Sequence, residues 1–253
     1  MNESIERATR KLRLSGLARS LDIRLQEARA NRLGHEQFLE LILQDEMLVR
    51  GERQFARRLR QASFPATKTM EQFNWNFNPR LERDRIESLA SCQFVRERRD
   101  VLFIGPPGVG KSHLAQAIGY NAIRFGFLVL YRSIFDLVRE FLRDEAVKGA
   151  DRNLDRYLKP DLLIVDDMGL KQLPANSAEY LFEVVMRRYE NRSTIMTSNR
   201  PIEDWGKLLG DVPAAGAILD RFLHHAEVVP MQGRSYRIGE RANQSPASLE
   251  IEP

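Results

Sequence analysis

Residues 105–112 read Gly-Pro-Pro-Gly-Val-Gly-Lys-Ser, which is a complete phosphate-binding loop. An apolar run over 101–104 precedes the loop and a helix-forming segment follows it, and the motif requires this strand–loop–helix context. Glycines let backbone N–H groups close around phosphate oxygens, and the helix start adds partial positive charge. We therefore expect Lys111 to reach the β- and γ-phosphates of a nucleotide and the Ser112 hydroxyl to bind Mg²⁺. The predicted nucleotide-binding residues are Gly105, Pro106, Pro107, Gly108, Val109, Gly110, Lys111, Ser112 and His113.

A second motif lies at 162–167, where four apolar residues precede Asp166 and Asp167. Buried carboxylates are unfavourable without a cation or hydrogen-bond donors, so two of them at the end of an apolar strand indicate an ion site. Asp166 is predicted to hold Mg²⁺ through water, opposite Ser112, and Asp167 to polarise the attacking water. The structural alternative is a turn that begins with two aspartates.

Residues farther along the chain could complete a hydrolytic site. Asn199 ends the next predicted strand, where its amide could orient water, although Ser-Asn is also ordinary turn chemistry. Arg221 lies on a predicted helix and could act as an arginine finger from a neighbouring subunit, or pair locally with Asp220. Arg237 is a candidate for a second phosphate-sensing arginine. The guanine-recognition pattern Asn-Lys-x-Asp is absent, so ATP with Mg²⁺ is the expected cofactor pair.

Strands and helices alternate from residue 100 onward, which would bring these polar residues to strand ends. Strands are predicted at 101–104, 127–131, 162–165 and 194–197. Capping pairs predict helix starts at Ser133 with Asp136 and at Asn176 with Glu179, and a short helix is predicted at about 151–158. This alternation predicts an α/β fold in which helices cover both faces of a parallel sheet.

The first 62 residues are predicted to be helical and basic. Apolar residues at helical spacing predict one helix over about 10–30 and a second over about 35–61. Residues 1–62 contain 13 Lys/Arg and 9 Asp/Glu, so the chain's net charge of +4 lies entirely there. This asymmetry favours an anionic polymer as partner. Two helices alone cannot bury both apolar faces, so the region should pack on a partner, another copy or the main domain.

The chain is predicted to have four parts: a basic helical region at 1–62, a linker with aromatic anchors at 63–78, an ATPase domain at 79–241 and a disordered tail at 242–253. A helix is expected to begin at Asn78-Pro79 and to run to about Phe94. No run reaches the ~18 apolar residues of a membrane span, and the N-terminus lacks an apolar signal core. The single cysteine, Cys92, fits a reducing compartment, so a cytoplasmic location is expected.

Together these features resemble the AAA+ ATPases of the initiator and helicase-loader group, and within it the chain is similar to the IstB family of transposition helper ATPases. The resemblance covers roughly residues 5–240, and it is carried by segments 105–115, 162–169, 197–201, 218–226 and 233–237, with 12–18 and the arginine-rich segment before Phe64.

The resemblance implies a homo-oligomer, ring-like or helical, that ATP-bound subunits form around double-stranded DNA. Such an assembly would deform the DNA, recruit the transposase of the same mobile element and come apart on ATP hydrolysis. Most AAA+ enzymes carry Glu where Asp167 stands, so slow, DNA-stimulated hydrolysis is implied. The chain also looks too short after Arg237 for the small helical lid of many AAA+ proteins.

DNA contact is expected to be mainly to phosphates, dependent on salt and weakly selective for sequence. Two sets of basic residues are candidates, and a solvated helix face is the alternative for each. The first set is Arg50, Arg53, Arg57, Arg58 and Arg60, and the second is Arg143, Lys148, Arg152, Arg156 and Lys159.

Three other functions stay open. A replicative helicase loader would use the same ATPase residues, and only the N-terminal region, with its arginine-rich second helix, favours the transposition helper. A small-molecule kinase would need a substrate lid, whereas Asp167, Asn199 and the outlying Arg221 favour a hydrolase that directs water. A module that holds ATP without turnover would not need those three residues.

Overall fold

The computed structural model describes residues 2–147, 151–170, 173–174 and 177–236. The chain divides into two compact units, Met1–Arg58 and Leu59–Pro253. The first unit consists of helices α1 (Glu3–Lys11), α2 (Ser15–Asn31) and most of α3 (His35–Ala62). Leu21 of α2 and Ile42 of α3 are buried, and Arg24 on α2 donates two hydrogen bonds of 2.8 Å to the carboxylate of Asp45 on α3.

The predicted single helix over 10–30 is wrong at its start. Asn2 caps α1 by accepting a hydrogen bond from the N–H of Ser4 at 3.0 Å, and α1 ends at Lys11. Arg13 then adopts a left-handed conformation with φ 56°, which breaks the helical path before α2 begins at Ser15. The pattern of apolar residues does not reveal such a break, because the apolar residues on both sides of it follow the same helical spacing.

The second unit is built on a five-stranded parallel sheet in the order β2-β3-β4-β1-β5. The predicted parallel sheet is therefore confirmed. The strands are β1 (Asp100–Ile104), β2 (Val129–Ser133), β3 (Leu162–Met168), β4 (Ser193–Ser198) and β5 (Ala226–Pro230). The two central motifs belong to β1 and β3, which lie on either side of β4, so the carboxyl ends of β1, β4 and β3 are neighbours.

Helices connect the strands and cover the sheet. They are α4 (Arg83–Ala90), α5 (Gln93–Arg96), α6 (Lys111–Arg124), α7 (Ile134–Val147), α8 (Asp151–Leu158), α9 (Ser177–Arg188), α10 (Trp205–Leu209) and α11 (Val212–His224). The apolar faces of α7 to α11 and strand residues form one core, in which Trp205, Tyr157 and Phe222 are fully buried. The predicted cap of α7 is confirmed, because the Asp136 N–H donates to the Ser133 hydroxyl at 3.1 Å.

The helix predicted from Pro79 to Phe94 is replaced by two shorter helices, α4 and α5. A 3-10 helix covers Trp75–Phe77, and α4 begins only at Arg83. Cys92 has a left-handed φ of 58° and separates α4 from α5, so one continuous helix cannot pass through it. The strand β5 was not predicted, since it is short, carries Glu227 and is largely half-exposed.

Some predictions concern residues outside the described ranges. These are the helix cap at Asn176, the phosphate-sensing role of Arg237, the disordered tail and the missing lid. Among the described residues, no helix is both long enough and apolar enough to cross a membrane.

Candidate nucleotide-binding site

The phosphate-binding loop joins the end of β1 to the start of α6. The Gly105 N–H donates to the carbonyl of Ser198 on β4 at 3.1 Å, which ties the loop to the sheet edge. Gly105 has φ 155°, and a Cβ there would lie 2.0 Å from the carbonyl oxygen of Met231, so only glycine fits. Lys111 is buried, and its ammonium donates to the carbonyls of Gly105 and Pro106 at 2.7 Å each.

Asp166 joins the two predicted motifs. Its side chain is 1% exposed, and its Oδ1 accepts a hydrogen bond from the Ser112 hydroxyl at 2.9 Å. Oδ2 accepts from the Tyr131 hydroxyl of β2 at 2.5 Å, and the hydroxyl of Thr197 on β4 also donates to Oδ1. Burial and the negative charge of Asp166 raise the pKa of Tyr131, so that phenol stays protonated and remains a donor.

These contacts compensate a carboxylate that would otherwise be costly to bury. Ser112 and Asp166 also present oxygen atoms side by side, and oxygen is the ligand type that Mg²⁺ prefers. The residues present therefore fit a magnesium ion. Tyr131 and Thr197, by contrast, were not singled out from the sequence, because they come from strands distant along the chain.

Asp167 lies at an irregularity in the sheet. The register between β3 and β4 shifts between Val165 and Met168, and Asp167 adopts φ 66°. Its N–H donates to Asp166 Oδ1 at 2.9 Å and to the Thr197 hydroxyl at 3.1 Å instead of continuing the ladder. Asp and Asn are the non-glycine residues that best tolerate this conformation. The bulge thereby turns the Asp167 side chain toward the cavity beside the loop.

A cavity of about 640 Å³ lies against the phosphate-binding loop. Among the predicted residues, 107–113, Asp167 and Asn199 line it, and Asn199 is held in place by an N–H hydrogen bond to the Met168 carbonyl at 2.8 Å. The structure thus brings together the loop and the ends of β3 and β4. Gly105 and Pro106 contribute the carbonyls that hold Lys111.

The linker forms part of the same cavity, which the sequence did not indicate. Phe73 packs edge-on against the ring of His113, with 5.3 Å between ring centroids, and His113 Nε2 lies 3.0 Å from the Thr69 carbonyl oxygen. Burial lowers the pKa of His113. On another part of the wall, Phe77 packs edge-on against Tyr236 at 4.9 Å. The aromatic anchors noted in the sequence therefore have a place beside the loop.

Two buried amide groups in the cavity wall lack hydrogen-bond partners among the described residues. Asn78 is 4% exposed and Gln116 is 6% exposed, and the unpartnered atoms are Asn78 Nδ2 and Gln116 Oε1. An unsatisfied buried donor or acceptor costs about 1–3 kcal/mol, so both atoms favour a polar ligand in this cavity.

Arg221 lies at the opposite edge of the sheet. It belongs to the last turn of α11. His225 follows that helix, and its carbonyl accepts a hydrogen bond of 3.2 Å from the N–H of Asp100 at the start of β1. The five residues of β1 span roughly 15 Å, so Arg221 is remote from the loop of its own chain. Its guanidinium is exposed and lies over the ring of Tyr189, 5.5 Å from the centroid.

The predicted DNA-binding residues differ in their surroundings. Arg50 is paired with the buried Glu46 at 2.7 Å, Arg156 with Glu140 at 3.0 Å and Lys159 with Asp155 at 3.4 Å. Arg58 is half-buried, whereas the other members whose side chains the structure describes are exposed: Arg50, Arg53, Arg57, Arg60, Arg143, Arg156 and Lys159. Lys148 lies outside the described residues, as does the side chain of Arg152.

Comparison with known proteins agrees with this geometry. The family model described as IstB-like ATP binding protein matches residues 7–244. The chain is 34% identical over 241 residues to a protein of Geobacillus stearothermophilus named as an ATP-binding protein of insertion sequence IS5376, covering 95% of this chain and 96% of that one. It is 36% identical over 231 residues to the corresponding protein of insertion sequence IS21 from Pseudomonas aeruginosa, covering 91% and 87%.

Solved structures with the same fold come from replication proteins. The DnaC helicase loader superposes with a TM-score of 0.52 at 22% identity and covers 62% of this chain and 98% of the loader chain. DnaA from Aquifex aeolicus bound to AMPPCP gives 0.56 at 22% identity, covering 75% and 57%. The second unit thus shares the phosphate-loop α/β fold of these structures. Because the family model and both insertion-sequence relatives span nearly the whole sequence, the chain belongs to the family of IstB-like ATP-binding proteins.

Proposed function

We propose that this protein hydrolyses ATP in the cavity beside the phosphate-binding loop. The observation that carries the proposal is the 2.9 Å hydrogen bond between Ser112 and Asp166, which unites the two motifs at the cavity. These two residues would hold Mg²⁺, which neutralises charge on the β- and γ-phosphates when bound. Lys111 would exchange its carbonyl acceptors for phosphate oxygens, since both kinds of oxygen accept hydrogen bonds from an ammonium.

Asp167 and Asn199 are proposed to handle the attacking water. Both line the cavity and both are half-buried. The carboxylate of Asp167 would accept a hydrogen bond from the water and favour removal of its proton. The Asn199 amide would orient the water toward the γ-phosphate. Adenine is the expected base, and the buried Asn78 Nδ2, beside Phe77 and Tyr236, is a donor suited to an acceptor nitrogen of its ring.

Arg221 is proposed to act on the nucleotide of a neighbouring subunit. Its position at the far edge of the sheet excludes the ATP site of its own chain, whereas its exposure permits contact with another copy. A guanidinium near the γ-phosphate would stabilise the charge of the transition state. ATP would then form part of the subunit interface, so we propose that ATP favours a homo-oligomer and that hydrolysis weakens it.

Duplex DNA and a transposase are the proposed partners. The support is that relatives of 34% and 36% identity are named for insertion sequences, together with the positive charge of residues 1–62. The candidate contacts stay those predicted above, Arg50 to Arg60 on α3 and the basic residues of 143–159. A helicase loader shares this fold, so the fold alone does not separate the two roles.

The test is ATP hydrolysis and particle size, measured by phosphate release and light scattering with and without duplex DNA. We expect DNA to stimulate turnover and ATP to drive growth of large DNA-bound particles. Asp167→Asn should bind ATP and trap these particles, because Asn also tolerates a positive φ but cannot accept a proton. Turnover that does not depend on DNA, with a particle that stays small, would contradict the proposal and favour a helicase loader or a metabolic enzyme.

A further inference from the structure

A pocket in the N-terminal unit is lined by four arginines that are separate in the sequence. Its volume is about 340 Å³, and Arg10, Arg13, Arg19 and Arg53 form its cationic wall. They come from α1, the turn after α1, α2 and α3. Among the described residues that line the pocket there is no aspartate or glutamate. Only Arg53 belongs to the DNA-binding set predicted from the sequence.

A buried carboxylate on α3 holds these helices together. Glu46 is 4% exposed and accepts hydrogen bonds from the N–H groups of Gly16 at 2.6 Å and Leu17 at 3.0 Å. A Cβ on Gly16 would lie 2.7 Å from the backbone of Asp45, so glycine permits this close approach of α2 to α3. Two helical turns beyond Glu46, Arg53 donates to the hydroxyl of Ser15. The pocket is therefore built by specific packing.

The charge of Glu46 is already compensated. Burial alone would raise the pKa of Glu46, but hydrogen bonds from Arg50 and from the N–H groups of Leu17 and Gly16 hold it below its usual value. The carboxylate thus stays ionised, and its oxygens accept hydrogen bonds from Gly16, Leu17 and Arg50. It does not neutralise the pocket arginines.

The pocket arginines differ from other arginines of the same unit. Arg24 is paired with Asp45 at 2.8 Å, and Arg50 with Glu46 at 2.7 Å. Arg13 and Arg19 are exposed, and neither forms an ion pair with a described residue. Arg10 contacts Glu6, but that pair is solvent-exposed and therefore weak. A concave surface with this excess of guanidinium groups is suited to an anion with several acceptor oxygens.

We propose that this arginine pocket binds a backbone phosphate of duplex DNA. The inference rests on the proposed function, in which the ATP-bound protein assembles on DNA. Phosphate rather than a base edge is the expected ligand, because guanidinium groups match phosphate oxygens and such contacts position a protein without reading sequence. The pocket would anchor the N-terminal unit through at least two helices at once.

The test compares two double variants of the full chain. Arg13→Gln with Arg19→Gln removes two pocket charges. Arg29→Gln with Arg32→Gln removes two exposed charges from the other end of α2, about 20 Å from Ser15 by the helical rise. Binding to a fluorescent duplex is measured by anisotropy over a salt series in the presence of Mg²⁺ and a non-hydrolysable ATP analogue, and melting temperatures establish that both variants are folded.

We expect the pocket variant to bind duplex DNA about tenfold more weakly and to lower the salt slope by about 1, because the slope falls by about one for each phosphate that is no longer neutralised and the pocket binds one phosphate. The control variant should stay within about twofold of the unmodified chain, as expected for charges far from the bound phosphate. Equal losses in both variants, or no loss in the pocket variant, would overturn the pocket assignment. Binding to anionic lipid vesicles is measured in parallel. A pocket variant that binds the vesicles more weakly but keeps its affinity for duplex DNA would also overturn the assignment. Failure of the unmodified chain to bind duplex DNA would instead refute the proposed function.

Discussion

Polar residues have opposite surroundings at the two edges of the parallel sheet, the carboxyl edge where the strands end and the amino edge where they begin. At the carboxyl edge, Lys111 and Asp166 are buried and joined to neighbouring groups around a cavity. At the amino edge, Arg221 is exposed and rests on the half-buried ring of Tyr189. One edge is therefore organised to enclose a ligand, and the other presents a cation to the outside. In an assembly of copies, the exposed edge of one subunit could complete the enclosed edge of the next.

The two edges also differ in the surroundings of a buried aspartate, Asp166 at the carboxyl edge and Asp100 at the amino edge. Asp166 is surrounded by hydroxyl groups from three different elements, which lets a cation share its oxygens. Asp100 is 7% exposed at the start of β1 and accepts the N–H of Thr194 at 2.6 Å. Burial raises the pKa of Asp100 to about 7. The same residue type thus has an environment that fits a cation at one edge and a backbone-capping role at the other.

Complementation between two inactive variants tests the comparison most strongly. Lys111→Ala should abolish ATP binding, and Arg221→Ala should spare binding while lowering turnover by about 10³-fold. If Arg221 acts across an interface, mixing the two variants should restore turnover. In a head-to-tail assembly of a 1:1 mixture, about a quarter of the interfaces would pair an intact loop with an intact arginine. Phosphate release from the mixture measures the effect.

The control for this experiment is Lys207→Ala, which removes an exposed lysine of α10 and should leave binding and turnover unchanged. A mixture that stays inactive, with both variants still assembling, would show that Arg221 does not complete a neighbour's site. Normal turnover by Arg221→Ala alone would remove it from the mechanism altogether.

Asp100→Asn tests the structural character of the amino edge. Because its folded pKa of about 7 exceeds the unfolded value of about 3.9, the folded state holds the proton more tightly. The stabilisation from that proton is present at low pH and is lost as pH rises from about 4 to 7. Asn carries no charge and does not lose this stabilisation. The unfolding free energy of the variant minus that of the unmodified chain should therefore increase by roughly 2 kcal/mol when the pH is raised from 5 to 8. Urea denaturation at the two pH values measures this difference, and parallel pH profiles would contradict it.

Local motifs explain why much of the carboxyl edge was predictable. The loop at 105–112 carries its own strand and helix context, and Asp166 ends an apolar run, so both are visible within a few residues of sequence. Asp167 was identified as well, but the bulge that orients it was not, because the bulge depends on the register between β3 and β4. The same holds for Tyr131 and Thr197, which meet Asp166 only through strand order.

Features made by tertiary packing were not predictable from spacing. The cavity wall formed by Phe73, Phe77 and Tyr236 joins segments more than a hundred residues apart. The arginine pocket depends on the turn at Arg13, which apolar periodicity does not reveal. In each case the residues themselves are ordinary, and only the path of the chain brings them together.

The contact between Tyr189 and Arg221 allows the smallest and most specific test of the exposed edge. A cation over an aromatic ring at an exposed site contributes about 0.5–1 kcal/mol, so Tyr189→Leu should lower kcat by about two- to fivefold. Tyr189→Phe keeps the ring and loses the hydroxyl, which lies 2.6 Å from His224 Nδ1 and also accepts a hydrogen bond from Arg221, so its kcat should fall less than that of Tyr189→Leu. The KM for ATP should change in neither variant, because the proposed ATP site lies at the carboxyl edge of the sheet, away from Tyr189. Equal losses of kcat in both variants, or a rise in KM, would show that the ring does not position Arg221.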